Sequence, residues 1–261
     1  MIPRPRTLFG RPWFVRSMIF VDAREGVSGD MLLAAMIGLM DGEARTAMVE
    51  DTSRAARAIG VEFHLIDIAE DDEAGFAISY TSKATEGAGR SREEAVEALR
   101  RMHGPGDPLG PHALDVDILD TLFRAEAEAH AVSVDQVHLH EVGRGGALVN
   151  MYGIGKAHSA LREAGAGDFI CSTITTGKGI VVIAHGAVRV PAPACAHLLK
   201  GLKHEAGAEP GERATPTGIA AIKVLVRAQS DEIPSEFAKR SIGYGTRRFA
   251  GRLGRTILYW T

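Results

Sequence analysis

The feature that most constrains this chain is a strand–turn–helix passage near its start. Met18-Ile19-Phe20-Val21-Asp22-Ala23 is a compact apolar run, which predicts a buried strand ending at Asp22. A turn containing Gly26 follows, and Ser28-Gly29-Asp30 then opens an apolar helix expected to run to about Met40. Ser28 is a natural N-cap, because its hydroxyl can accept from an unsatisfied N–H of the first turn, and Asp30 suits the positive end of the helix dipole. A strand feeding a helix through a glycine turn commonly presents backbone N–H groups to an anion. Ser28, Gly29 and Asp30 could therefore cradle a phosphate, with Asp30 holding a metal or a proton. The same tripeptide also reads as helix capping and nothing more.

The remaining pattern alternates strands and helices without an internal repeat. Glu62 to Ile68 and Phe76 to Ser82 read as strands joined by the acidic turn Glu70-Asp71-Asp72-Glu73, a charge run expected to be solvated. Ser91-Arg92-Glu93-Glu94 has the form of a capping box and opens a helix to Met102, followed by a second helix from Leu114 to Ala131. A further helix is expected from about Ala147 to Ala164, then strands at Phe169 to Thr175 and Ile180 to Ala184. A short helix ends near Gly201, another runs from Thr215 to about Val226, and a last strand covers Thr256 to Trp260. The order is mixed, so the fold class is α/β in the α+β sense, as one large domain or two closely packed small ones. The Gly/Pro-rich linker from Gly104 to Pro111 divides the chain into an N-terminal part, 18–103, and a second part, 112–261.

Composition removes several functions. The net charge is −3, from 30 basic and 33 acidic side chains, so no large positive field is available to grip nucleic acid or an acidic membrane. No stretch approaches the ~18 apolar residues of a membrane span. The two cysteines, Cys171 and Cys195, lie apart without CxxC spacing, which opposes a disulfide scaffold and a thiolate zinc site. A cytoplasmic, soluble protein is expected. Residues 1–17, with Arg4, Arg6, Arg11 and Arg16 interleaved with prolines, read as a disordered basic extension.

The sharpest chemical signal is His138-Leu139-His140-Glu141. On an extended segment alternate residues share a face, so both imidazoles would point one way, between Val137 and Leu139. Two imidazoles and a carboxylate suit nickel, zinc or iron. The alternative is two polar side chains on the wet face of an edge strand. Thr215-Pro216-Thr217-Gly218 repeats the ambiguity of Ser28: an anion-facing helix start, or a capped helix with proline at its first position. Lys178, between Gly177 and Gly179, could bring an ammonium to an anionic ligand or sit in a tight turn. His185, at a strand end, is either a site residue or a satisfied surface one. Cys195 has no identifiable catalytic partner and reads as core.

Taken together and in order, these segments resemble the nickel-insertion proteins that complete the nickel-pincer nucleotide cofactor of lactate racemase. The resemblance rests on Asp22 with Gly26-Val27-Ser28-Gly29-Asp30-Met31, His138-Leu139-His140-Glu141-Val142-Gly143 and Ala184-His185-Gly186. It continues through Val190-Pro191-Ala192-Pro193-Ala194, Thr215-Pro216-Thr217-Gly218 and Gly243-Tyr244-Gly245, spanning roughly residues 18 to 246. It implies Ni(II) insertion into an anionic pyridinium bisthiocarboxylate mononucleotide, a lyase-class cyclometallation using CTP and Mn(II). By resemblance, His138, His140 and Glu141 hold the metal, and Glu141, His185 and Asp30 are the candidate bases. Ser28, Gly29, Lys178, Thr215, Thr217 and Gly218 face the nucleotide. Two departures stand out. The family's two aspartates after the His-x-His-Glu motif are replaced by Gly146 and Asn150, and Ala23 stands where a cysteine usually follows Asp22. Full-length relatives also carry a C-terminal domain associated with CTP and manganese. The resemblance therefore implies a separate C-terminal-type partner, or else a non-catalytic carrier or degenerate homologue. It leaves homo-oligomerisation open.

Overall fold

The computed structural model describes residues 17–82, 89–107, 109–110, 113–139, 145–183 and 186–261. The chain begins with β1 (Ile19–Asp22), α1 (Gly29–Gly38), α2 (Gly42–Arg57), β2 (Val61–Glu70), β3 (Glu73–Ser82), α3 (Arg92–His103) and α4 (Leu114–His130). A 3-10 turn at Val134–Gln136 leads to α5 (Gly145–Glu163), β4 (Phe169–Cys171), β5 (Ile174–Thr175), β6 (Gly177–Lys178), β7 (Ile180–Ile183) and β8 (Gly186–Arg189). The last third holds α6 (Pro193–Leu198), β9 (His204–Glu205), β10 (Gly211–Glu212), α7 (Pro216–Leu225), β11 (Val226–Gln229), β12 (Lys239–Phe249) and β13 (Arg252–Trp260).

Seven strands form one mixed sheet in the order β11-β4-β1-β13-β12-β3-β2. β11, β4 and β1 run parallel, β13 is antiparallel to both β1 and β12, and β3 pairs parallel with β12 and antiparallel with β2. The mixed α+β class is as expected. Strands from both sides of the 104–111 segment interleave here, so the parts expected at 18–103 and 112–261 share one sheet.

Alternation along the strands divides the side chains between two faces. Ile19, Val21 and Leu258 join the main core, to which all seven described helices contribute, whereas Phe20, Ile242, Tyr244, Ile257 and Tyr259 form a smaller cluster on the other face. At the centre of the main core lies α1, buried from Met31 to Ile37. It has no polar stripe because it meets sheet on one side and helices on the other.

Local chemistry explains most element boundaries. Ser91 and Glu94 form the reciprocal capping box at the start of α3. The β2–β3 hairpin turns through Asp71 and Asp72, both left-handed at φ 49° and 63°. Its acidic turn is not simply solvated: Arg248 binds Glu70 at 2.6 Å, Arg252 binds Asp71 at 2.7 Å and Arg240 binds Glu73 at 2.6 Å. Among the elements that the sequence pattern does not announce are α2, β12 and the short strands β6 and β8 to β11, and the single strand expected at Phe169 to Thr175 is divided into β4 and β5. Of the expected extension at 1–17, only Ser17 lies within the described residues. No described helix is long and apolar enough to cross a membrane.

Candidate functional site

At the carboxyl end of β1 the chain turns through Gly26 into α1, and the segment entering α7 runs alongside. Val27 N–H donates to the Arg213 carbonyl at 3.0 Å, and Thr215 N–H donates to the Val27 carbonyl at 2.9 Å. These bonds bring the N-termini of α1 and α7 together. Ser28 caps the first, accepting from Met31 N–H, and Thr215 caps the second, accepting from Gly218 N–H, both at 3.4 Å. Glycine is required on both helices by the closeness of the approach. A Cβ on Gly218 would lie 2.5 Å from the Val27 carbonyl oxygen, and one on Gly29 would lie 2.8 Å from the Thr217 methyl.

Two residues that sequence reasoning did not place at the site complete this junction. Asn150, on α5, is buried and sits 3.1 Å from where a Cβ of Gly29 would be. Tyr80, on β3, donates its hydroxyl to Asn150 Oδ1. Burial, and then the charge of Asp30, push the Tyr80 phenol well above its ordinary value, so it remains a protonated donor. Asp30 accepts from the Ser28 hydroxyl and lies close enough to Tyr80 to act on it. The junction thus combines two positive helix ends, one carboxylate, the buried Thr217 and a fixed amide. Positive helix ends beside a carboxylate are the groups that anion binding and proton transfer call for.

The other sequence candidates lie elsewhere or outside the described residues. Val137 and Leu139 are buried and His138 is exposed, with Nδ1 3.3 Å from the Gln136 carbonyl. Leu139 pairs with Arg90 through two backbone bonds of 3.0 and 3.2 Å, which holds this segment extended as expected. His140, Glu141 and His185 lie outside the described residues. Lys178 is exposed on β6, which pairs with β10, and no described contact brings it to Ser28. Among the described residues, no group of three or more His, Cys, Asp or Glu side chains is assembled to hold a metal. Cys195 is buried, as expected of core. Asp22 is held by Arg24 in a two-bond pair of 2.7 and 2.8 Å, so its carboxylate is already neutralised.

Comparison with known proteins decides the lineage. Residues 19–256 match the family model described as nickel insertion protein. The chain belongs to the nickel insertion protein family. It is 30% identical over 248 residues to the pyridinium-3,5-bisthiocarboxylic acid mononucleotide nickel insertion protein of a Thermotoga species, covering 87% of this chain and 57% of that one. It is 31% identical over 229 residues to the protein of the same description from a Nocardioides species, covering 87% and 56%. The Staphylococcus epidermidis protein of that description is 29% identical over 227 residues, covering 87% and 54%. The chain therefore spans about half the length of the curated relatives it matches. No solved structure matches it. Asn150 and Gly146 stand where the resemblance expects aspartates. A Cβ on Gly146 would lie 3.1 Å from the Tyr80 ring, so both departures adjoin the same tyrosine.

Proposed function

We propose that this chain takes part in inserting Ni(II) into pyridinium-3,5-bisthiocarboxylic acid mononucleotide. Nickel is the substrate metal. The ring carbon loses its proton to a protein base, and the electron pair of that C–H bond becomes the carbon–nickel bond, so no oxidant or reductant is consumed. His138, His140 and Glu141 deliver the metal in this reading, with Glu141, His185 and Asp30 as candidate bases. The N-termini of α1 and α7, through Ser28, Gly29, Thr215, Thr217 and Gly218, face the nucleotide, with Lys178 as an outlying cation. CTP and Mn(II) are the co-reactants in this reading, and the reaction takes place in the cytoplasm. The observation that carries the reading is the family match over 19–256, supported by the union of two capped helix starts beside Asp30.

A second reading is a carrier that binds nickel or nucleotide without inserting the metal. It is favoured by one feature, the neutral Asn150–Tyr80 pair where a carboxylate is expected. Calorimetric titration of metal-free protein with Ni(II) tests the metal assignment common to both. Stoichiometric binding is expected, and it is lost in the His138→Ala/His140→Ala double variant, whose circular dichroism stays unchanged. Equal affinity in a folded double variant removes the metal assignment. Nickel binding that strengthens with the mononucleotide present favours insertion over carriage of the metal alone.

A further inference from the structure

The protein has a cleft of about 490 Å³ whose lining includes none of the candidate site residues above. It opens where Arg24 and Glu25 leave β1 and where Thr175 follows β4, the strand parallel to β1. Crevices outside the carboxyl ends of parallel strands are where sheets of this kind receive ligands. Its volume falls in the range of small-molecule sites.

Three arginines line it, and they are not equivalent. Arg24 is committed to Asp22 at 2.7 Å, and Arg252 to Asp71 at 2.7 Å. The guanidinium carbon of Arg213 sits over the Phe249 ring, 3.9 Å from its centre. Its polar contacts are all long: 3.4 Å from Nη1 to the Glu25 carbonyl and 3.5 Å from Nη2 to Glu209, with Nε buried and unpartnered. Direct charge-assisted contacts are about 2.7–2.9 Å. The cleft therefore holds a guanidinium whose terminal donors are under-used. Its acids do not cancel it equally. Glu25 is taken by Arg255 at 2.8 Å, and Glu205 lies 3.3 Å from the Thr175 hydroxyl. Only Glu209 faces Arg213, and it does so from beyond direct contact.

We propose that this cleft is an oxyanion pocket for a small molecule, with Arg213 as its anchor and Glu209 as a displaceable internal anion in the ligand's place. The oxyanion is a phosphate monoester or a carboxylate. That it belongs to the pyridinium mononucleotide rests on the proposed function, whereas the pocket itself does not depend on nickel.

The test is an NMR titration of isotope-labelled protein with inorganic phosphate and, separately, nicotinate, reading the arginine side-chain N–H signals. Binding by the wild type is expected. Glu209→Gln removes the competing charge and tightens it several-fold, whereas Arg213→Gln weakens it about tenfold. Arg213→Lys, which keeps the charge and loses the fork, falls between the wild type and Arg213→Gln. A response to phosphate alone or to nicotinate alone supports the pocket and says which group it takes. No response to either probe overturns it, as does equal binding by a folded Arg213→Gln or Arg213→Lys variant. Weaker binding by Glu209→Gln also overturns it, since Glu209 would then assist the ligand. A failed nickel titration beside intact oxyanion binding sinks only the nickel reading.

Discussion

At position 150 an amide and a carboxylate of the same size differ only in one atom, nitrogen for oxygen, and in one charge. Tyr80 can donate to either, so Asn150→Asp is expected to keep the hydroxyl contact while placing a second negative charge near Asp30. Burying like charges lowers stability until a cation joins them. The variant should therefore melt below the wild type without metal and gain more from Ni(II) than the wild type does, read by thermal denaturation with and without the ion. An equal nickel response in both proteins would detach position 150 from the metal's path. The residues at this junction differ in how far the sequence announces them. Ser28 and Thr215 are legible because a cap bonds to a backbone N–H three residues away. The Tyr80–Asn150 pair spans 70 residues and depends on β3 lying beside α5. No local pattern encodes that contact. Tyr80 had only one signal, a polar-tipped aromatic in an expected strand.

Elements show the same division between local and tertiary causes. The capping box at Ser91 and the β2–β3 hairpin follow from residues within a few positions of one another, and both stand close to where the sequence puts them. β12 is opaque for a physical reason. Gly243 and Gly245 dilute its apolar alternation, and they are there because α1 crosses it closely. A Cβ on Gly243 would run into the Met31 carbonyl, and one on Gly245 would lie 2.8 Å from the Met31 sulfur. α2 is hidden in the sequence because its charged outer face masks a short buried stripe of Met48, Thr52, Ala55 and Ala56. The contrast predicts unequal costs for the two glycines. Gly243→Ala meets fixed backbone and should destabilise by about 3 kcal/mol, the upper range for overpacking. Gly245→Ala meets the end of a flexible methionine and should cost clearly less. Urea midpoints of the two variants check this, and equal costs would mean α1 can shift away from the sheet.

At the scale of the molecule, the segment at 104–111 is a seam in sequence that the structure ties across with charge. His103, at the end of α3, bonds Asp107 in that segment at 2.9 Å and Asp115 on α4 at 2.7 Å. Its ring meets the edge of Tyr152 on α5, and Asp107 is also bound by Lys156 of the same helix. Behind Tyr152, its hydroxyl donates to Asp51 at 2.6 Å, and Asp51 pairs with Arg54, both on α2. Burial pulls the His103 imidazolium down, but the bonds to Asp115 and Asp107 outweigh it and hold its pKa above the ordinary 6.5. A raised folded-state pKa means that the fold favours the charged ring. Its stabilisation is complete below about 6.5 and is lost as pH rises through the raised value. The wild type should therefore lose stability on the alkaline side of that window, and His103→Gln should flatten this slope while being less stable at the acid end. Because both sides of the seam share one sheet, near- and far-ultraviolet circular dichroism should report the same urea midpoint at each pH. A wild-type slope that survives in His103→Gln would move the titration to another group, and two separate midpoints would mean that the seam divides the fold after all.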